Sequence, residues 1–422
     1  MEISQLYKLF KKSSGVNTDT RTIQKGQLFF ALKGENFDGN AFALKALEAG
    51  AAYAVVSESL EAEDPRLVKV PDTLQALQDL AAWHRSQLSI PVVGLTGTNG
   101  KTTTKELIRA VLSTKYKVSA TEGNLNNDIG VPLSVLKISA DTELAIIEMG
   151  ASHPEDLKPL LAVAQPTHGL ITNVGKAHLL GFGSFEGVKH AKGLLYDYLK
   201  AHEGTAFANA DDATLMEMLW DRGLPFIPYG LDGIQVLPSS PAHPFLRLKA
   251  DNWEVDTHLV GAYNAANVLA ALKLGWFFGV PQQDALSAIA SYVPSNNRSQ
   301  LLKTEKNTVI VDAYNANPSS MAVALDNLSR CEGRKVALLG DMRELGDEAA
   351  MEHKKIVNRL DGSLEAYLVG DEFTLAAKGT GIKCFDTSDS LAAWLQENPL
   401  EGCTVLVKGS RGTLMEKVIA SL

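Results

Sequence analysis

Short apolar and β-branched runs recur along this chain, and most are followed by a segment whose apolar residues repeat at helical spacing. That alternation predicts an α/β protein built on largely parallel sheets with covered faces. Before residue 89, a strand is expected over 28–32, a short helix over 42–49 and a strand over 51–56, with Gly34 and Gly39 marking turns. From 89 to 298 a strand ends at Gly94-Leu95, and further strands are expected over 144–148, 169–172 and 206–208. Helices are expected over 101–113, 187–199, 213–221, 265–278 and 282–289. The irregular stretch 234–259 suggests an antiparallel insertion or edge. A fresh series of strands is expected over 308–312, 335–339, 366–369, 383–385 and 404–407. Helices over 319–328, 348–360, 391–397 and 413–421 make this last unit doubly wound and Rossmann-like. The polar segment 294–299 is the expected hinge. The expectation is three domains: a small α/β unit over 1–88, a P-loop-like mostly parallel sheet over 89–298, and the Rossmann-like unit over 299–422.

Composition narrows the function classes. At 422 residues the chain exceeds one ordinary core. Its net charge of −9, without a basic run, argues for small-molecule partners and against nucleic acid. Three scattered cysteines form neither a disulfide framework nor a zinc pattern. No stretch has membrane-spanning length and the first residues lack a signal-peptide pattern, so the expectation is a cytoplasmic protein without membrane insertion.

The densest chemistry lies at Gly97-Thr98-Asn99-Gly100-Lys101-Thr102-Thr103, between the strand ending at Leu95 and the helix from Lys101. Backbone N–H groups in such a turn converge on phosphate, and the helix N-terminus adds its positive end. Lys101 would reach terminal phosphates and Thr102 a magnesium ion. Glu148 is placed at the carboxyl end of its strand, where open parallel sheets bind ligands and a carboxylate can hold magnesium. His178 follows the next strand in the same way, open to a metal, phosphate or purely structural role. Lys192, inside an expected helix, reads by itself as a solvated charge. The segments 124–132, 312–318, 340–346 and 408–412 all follow strands or turns that could line a cleft, or could be plain connections.

Taken together, these segments resemble the Mur ligase family, which makes the cytoplasmic precursors of bacterial peptidoglycan. The resemblance spans essentially the whole chain. It rests on the 97–103 loop, Glu148-Met149-Gly150, Thr172-Asn173-Val174-Gly175 with His178, and Gly261-Ala262-Tyr263-Asn264-Ala265-Ala266-Asn267. Within the family, 123–132, 312–318, 340–346 and 408–412 are similar to the member that adds D-alanyl-D-alanine to UDP-N-acetylmuramoyl-tripeptide. The N-terminal unit resembles the family's UDP-sugar-binding domain through Asp19, Thr20, Arg21, Phe37, Asp38 and Gly39. The resemblance implies ATP and two Mg2+ ions, with Thr102 and Glu148 on one ion and His178 on the other. Lys192 matches a lysine that several members carbamylate to support the second ion. Asn264 and Asn267 would lie near adenine, and Arg298 and Asp312 would meet the nucleotide from either side of the hinge. Asn126, Asn127, Tyr314, Asn315, Asn317, Lys408 and Arg411 are candidates for peptide and dipeptide, and a monomer is expected. This chain has Tyr263 where the family usually has histidine, and Leu194 where it often has glutamate. The alternatives are a sister ligase adding diaminopimelate or lysine, and an ATP-binding scaffold without turnover.

Overall fold

Val92–Thr96 is buried along its whole length, and so is Leu144–Glu148, because both run through the interior of one sheet. The computed structural model describes residues 1–422 except 35–36, 59–63, 241–242, 296–297 and 361–363. The central sheet has six parallel strands, ordered Phe226–Tyr229, Thr205–Asn209, His168–Ile171, Val92–Thr96, Leu144–Glu148 and Val118–Ala120. Successive side chains point to opposite faces. Val92, Ala145 and Ile147 therefore pack with the helices Leu157–Ala164 and Phe185–Ala201. Val93, Leu95 and Ile146 pack with Lys101–Leu112 and Ala265–Phe277 on the other face. The irregular stretch after Ile234 is a three-stranded antiparallel sheet, Gln235–Leu237, Arg247–Ala250 and Trp253–Asp256.

The N-terminal unit is a four-stranded parallel sheet, Val16–Asn17, Leu28–Phe30, Tyr53–Val56 and Leu67–Lys69. Two helices that the pattern did not predict, Ile3–Lys12 and Thr73–Ser86, cover it. The second joins two units. Its Leu77, Leu80 and Ala81 belong to one apolar cluster that contains Leu28 and Phe30 as well as Val131, Val135 and Leu161 of the central unit. Buried Arg85 ties the junction by donating to the carbonyls of Ala164 at 3.2 Å, Gln165 at 3.1 Å and Leu88 at 2.8 Å.

The C-terminal sheet is ordered Gln300–Lys303, Thr308–Asp312, Cys403–Lys408, Arg334–Gly340, Glu365–Val369 and Lys383–Phe385, with only the first strand antiparallel. Five of these six strands fall where the pattern expected them; the antiparallel edge strand Gln300–Lys303 was not expected. The expected helix over 413–421 does not form: two 3-10 segments, Arg411–Thr413 and Met415–Ser421, flank Leu414, whose φ is +51°. Met415 and Val418 bury at a three-residue interval, which suits the tighter 3-10 turn. The expected hinge includes 296–297, which lie outside the described residues. Among the described residues no helix is long and apolar enough to cross a membrane.

Candidate active site

The carboxyl ends of the central and C-terminal sheets face one cleft of about 1030 Å³. At its floor, the turn after Val92–Thr96 carries two glycines with positive φ, Gly97 at +142° and Gly100 at +78°. A Cβ at Gly97 would run into the Thr172 hydroxyl, so the loop's close approach to the neighbouring strand end requires glycine there. That neighbour is the scaffold of the loop. Thr98 N donates to Asn173 O at 3.0 Å, Asn99 N to Asn173 Oδ1 at 3.0 Å, and Thr172 Oγ1 to Asn99 O at 2.7 Å. Lys101 Nζ donates to the carbonyls of Gly97 at 2.7 Å and Thr98 at 3.0 Å. Burial pushes its ammonium down to about 8; nearby Glu148 opposes that shift and Arg298 adds to it. A polyanion in the cleft would supply the counter-charge this ammonium lacks.

Glu148 is 1% exposed and held from several directions. Thr102 Oγ1 donates to its Oε1 at 3.2 Å, Asn126 Nδ2 to the same oxygen at 2.8 Å, and its backbone N–H to Thr121 Oγ1 at 3.0 Å. Its Oε2 is buried without a hydrogen-bond partner. A buried carboxylate oxygen that accepts no hydrogen bond, beside a threonine hydroxyl and a phosphate-type loop, fits magnesium, which takes one or two carboxylates and completes its shell with phosphates and water. Among the described residues no group of three or more His, Cys, Asp or Glu could hold a metal by itself, so nucleotide oxygens would have to complete that shell.

Lys192 overturns its solvated reading. It is 2% exposed, its Nζ donates to Ala151 O at 3.3 Å, and it lies 5.5 Å from the centre of the Phe182 ring. Burial, with a contribution from Lys101, pushes its ammonium down to about 7. Neutral amine is what reaction with carbon dioxide needs; as an ammonium the side chain cannot be a metal ligand. Lys192 does not itself line the cleft, although Ala151 does. His178 lines the cleft, and its Nδ1 lies 2.6 Å from Glu344 Oε2 of the C-terminal unit. That pairing holds the Glu344 carboxyl below its usual range.

Beneath the loop, Thr104 Oγ1 donates to Asn267 Oδ1, Asn267 Nδ2 to Asn264 Oδ1, and Asn264 Nδ2 to Val260 O, at 2.9, 2.9 and 2.8 Å. Both asparagines line the cleft while bracing the helix behind the loop. Tyr263 spends its hydroxyl on Ser299 Oγ at 2.9 Å. From the C-terminal side, the Arg298 guanidinium lies 3.7 Å over the Tyr314 ring. Asp312 Oδ2 pairs with Lys408 Nζ at 2.5 Å, and Lys408 also donates to Asn315 O at 3.2 Å. Lys408 is 1% exposed and serves Asp312 first, a role the sequence did not suggest. Asn317 caps its helix through Ser320 N at 2.9 Å and donates to Asn99 Oδ1 at 2.7 Å, linking the two units across the cleft. Asn127 accepts from Gly130 N at 2.9 Å.

Other expected residues stand apart. Arg411 is exposed, does not line the cleft, and lies 5.7 Å from the Tyr314 ring. Asp19 and Arg21 form a local 2.6 Å pair, Asp38 caps a turn through Asn40 N at 2.9 Å, and neither these nor Thr20 and Gly39 line the cleft. Sequence reasoning missed Lys105, which is fully buried with Nζ 2.5 Å from Thr121 O, 3.0 Å from Glu106 Oε1 and 3.8 Å from Glu148 Oε2. Four residues beyond Lys101 on one helix, it carries no pattern that separates it from a surface lysine.

The Mur ligase middle domain matches residues 95–275, the Mur ligase glutamate ligase domain 297–411, and the Mur ligase family catalytic domain 12–85. A UDP-N-acetylmuramoyl-tripeptide--D-alanyl-D-alanine ligase of Bacillus subtilis (strain 168) is 35% identical, over 97% of this chain and 93% of its own. A crystal structure of MurF from Acinetobacter baumannii superposes with a TM-score of 0.88 at 30% identity, covering 100% of this chain and 98% of that one. MurF ligase from Thermotoga maritima in complex with ADP gives 0.86 at 27% identity, covering 98% and 97%.

Proposed function

The chain belongs to the Mur ligase family, and from that premise we propose that it joins D-alanyl-D-alanine to UDP-N-acetylmuramoyl-tripeptide at the expense of ATP. The protein is an enzyme of peptidoglycan precursor synthesis, working in the cytoplasm where those precursors are made. Its proposed modules are 1–88 for the UDP-sugar, 89–298 for ATP and 299–422 for the incoming dipeptide.

A peptide carboxylate is a poor electrophile, so its oxygen first takes the γ-phosphoryl group of ATP and ADP leaves. The resulting acyl phosphate is attacked by the neutral dipeptide amine, a tetrahedral intermediate forms, and its collapse to the amide expels inorganic phosphate. The loop amides and Lys101 would hold the β- and γ-phosphates against the charge that builds during transfer. Thr102 and Glu148 would hold one Mg2+, and His178 with carbamylated Lys192 a second. When bound, these ions offset charge on the transferring phosphoryl group. Arg298, stacked on Tyr314, and Asp312, neutralised by Lys408, would meet the nucleotide from the opposite wall, so closing the two units would complete the site.

The observation that carries this reading is the Glu148 oxygen that, among the described residues, accepts no hydrogen bond and has only the Lys105 ammonium 3.8 Å away, buried beside Thr102 and the Lys101 loop in a cleft walled by two domains. The decisive assay measures phosphate release from ATP with the tripeptide nucleotide and each candidate amine. Release that depends on D-alanyl-D-alanine supports the reading, release with a different amine points to a sister ligase, and none at all to a scaffold. Lys101→Ala should abolish release while thermal melting shows that the variant still folds, since the lysine stands at the first position of the helix Lys101–Leu112 and, among the described residues, its Nζ bonds only the Gly97 and Thr98 carbonyls of the loop.

A further inference from the structure

Glu344 reaches from the C-terminal unit to a residue of the central one. Besides the 2.6 Å approach of its Oε2 to His178 Nδ1, its backbone carbonyl accepts from Leu180 N at 3.3 Å. Both residues of the pair hold left-handed backbone, with φ of +65° at Glu344 and +51° at His178. Such conformations are uncommon outside glycine and persist where the surroundings over-determine them. The other ring nitrogen, His178 Nε2, has no protein partner among the described residues, and the residue lines the cleft.

An imidazole beside a carboxylate keeps a proton on the nitrogen facing it and leaves the far nitrogen with its lone pair. We infer that Glu344 is a positioning residue: arriving with the C-terminal domain, it sets the tautomer and ring orientation of His178, so that Nε2 is offered to a cation only when the cleft is closed. The inference rests on the two-cation reading above. It explains why a carboxylate that touches no reacting atom is planted on a strained backbone opposite the histidine. It also makes cation binding and domain closure parts of one event, since the two halves of the pair come from different domains.

The test uses Mn2+ as a spin probe, titrated by electron paramagnetic resonance into the full chain with the nonhydrolysable analogue AMP-PNP, so cation affinity is read without turnover. Glu344→Ala should weaken the second Mn2+ by about 10–100-fold, the usual consequence of losing an outer partner of a metal-binding histidine. Glu344→Gln keeps an acceptor for the Nδ1 proton and should recover part of that loss. Combined with His178→Gln, Glu344→Ala should add nothing to the effect of His178→Gln alone, because both act through one imidazole. The backbone contact to Leu180 is kept in both Glu344 variants, and thermal melting checks that they fold. Unchanged second-cation affinity in Glu344→Ala, or losses that add in the double variant, would overturn the positioning role and leave the ligase reading intact. If the parent binds a single Mn2+, or His178→Gln leaves the second ion untouched, the two-cation reading falls and this inference falls with it.

Discussion

A lysine with a pKa near 7 is a statement about stability as well as chemistry. Across the interval from about pH 7 to the ordinary lysine range near 10.4, the unfolded chain carries a proton on Lys192 that the folded chain lacks. Stability contributed by this site therefore rises with pH through that window, by at most about 1.4 kcal/mol per unit, and the burial cost is largest below it. Lys192→Met should accordingly raise the melting temperature, more at pH 6 than at pH 9, while ligation falls because no amine remains to be carbamylated. Calorimetric scans at the two pH values, paired with the phosphate assay, check both halves. Gly97 makes the opposite kind of demand. Gly97→Ala places a Cβ against Thr172 at a φ of +142°, a strain on the order of 1–3 kcal/mol. The loop should relax away from the amide geometry that phosphate needs, seen as loss of the ADP binding heat by titration calorimetry.

Among the secondary-structure elements, Thr73–Ser86 shows what the apolar pattern does not convey. Its buried side chains serve the N-terminal sheet and the helices Gly130–Leu136 and Leu157–Ala164 together, so the helix is both the end of one unit and the dock of the next. Arg85 completes that dock by donating to carbonyls at the end of Leu157–Ala164. Arg85→Ala would leave those buried acceptors unpaired, at a cost of roughly 2–3 kcal/mol, measurable as a lower urea midpoint. The strands were far more legible than this helix. Val92–Thr96 and Thr308–Asp312 stand out because a strand buried on both faces must be apolar throughout. The 413–421 segment has helical spacing too, yet Leu414 in the left-handed region breaks it, a backbone choice that leucine does not signal.

For the whole molecule, closure is held by contacts between side chains far apart in sequence. Lys176 Nζ of the central unit lies 3.1 Å from Glu352 and 3.4 Å from Glu348, while Asn99 meets Asn317 and His178 meets Glu344. Lys176 is partly exposed, so its pairs are worth about 0.2–1 kcal/mol. Lys176→Ala should raise the KM for D-alanyl-D-alanine by roughly 2–5-fold, with kcat little changed, and should enlarge the radius of gyration measured by small-angle scattering with AMP-PNP. The chain order alone determined the α/β alternation, the three sheet-bearing regions and the phosphate loop, because each depends on neighbours within a few residues and on the repeat of strand or helix. Tertiary structure alone decided that Lys105 and Lys192 are buried, that Lys408 answers Asp312, and that His178 faces Glu344. A charged side chain looks the same in sequence whether water or another charge surrounds it. Only packing decides which of them must exchange solvent for a partner.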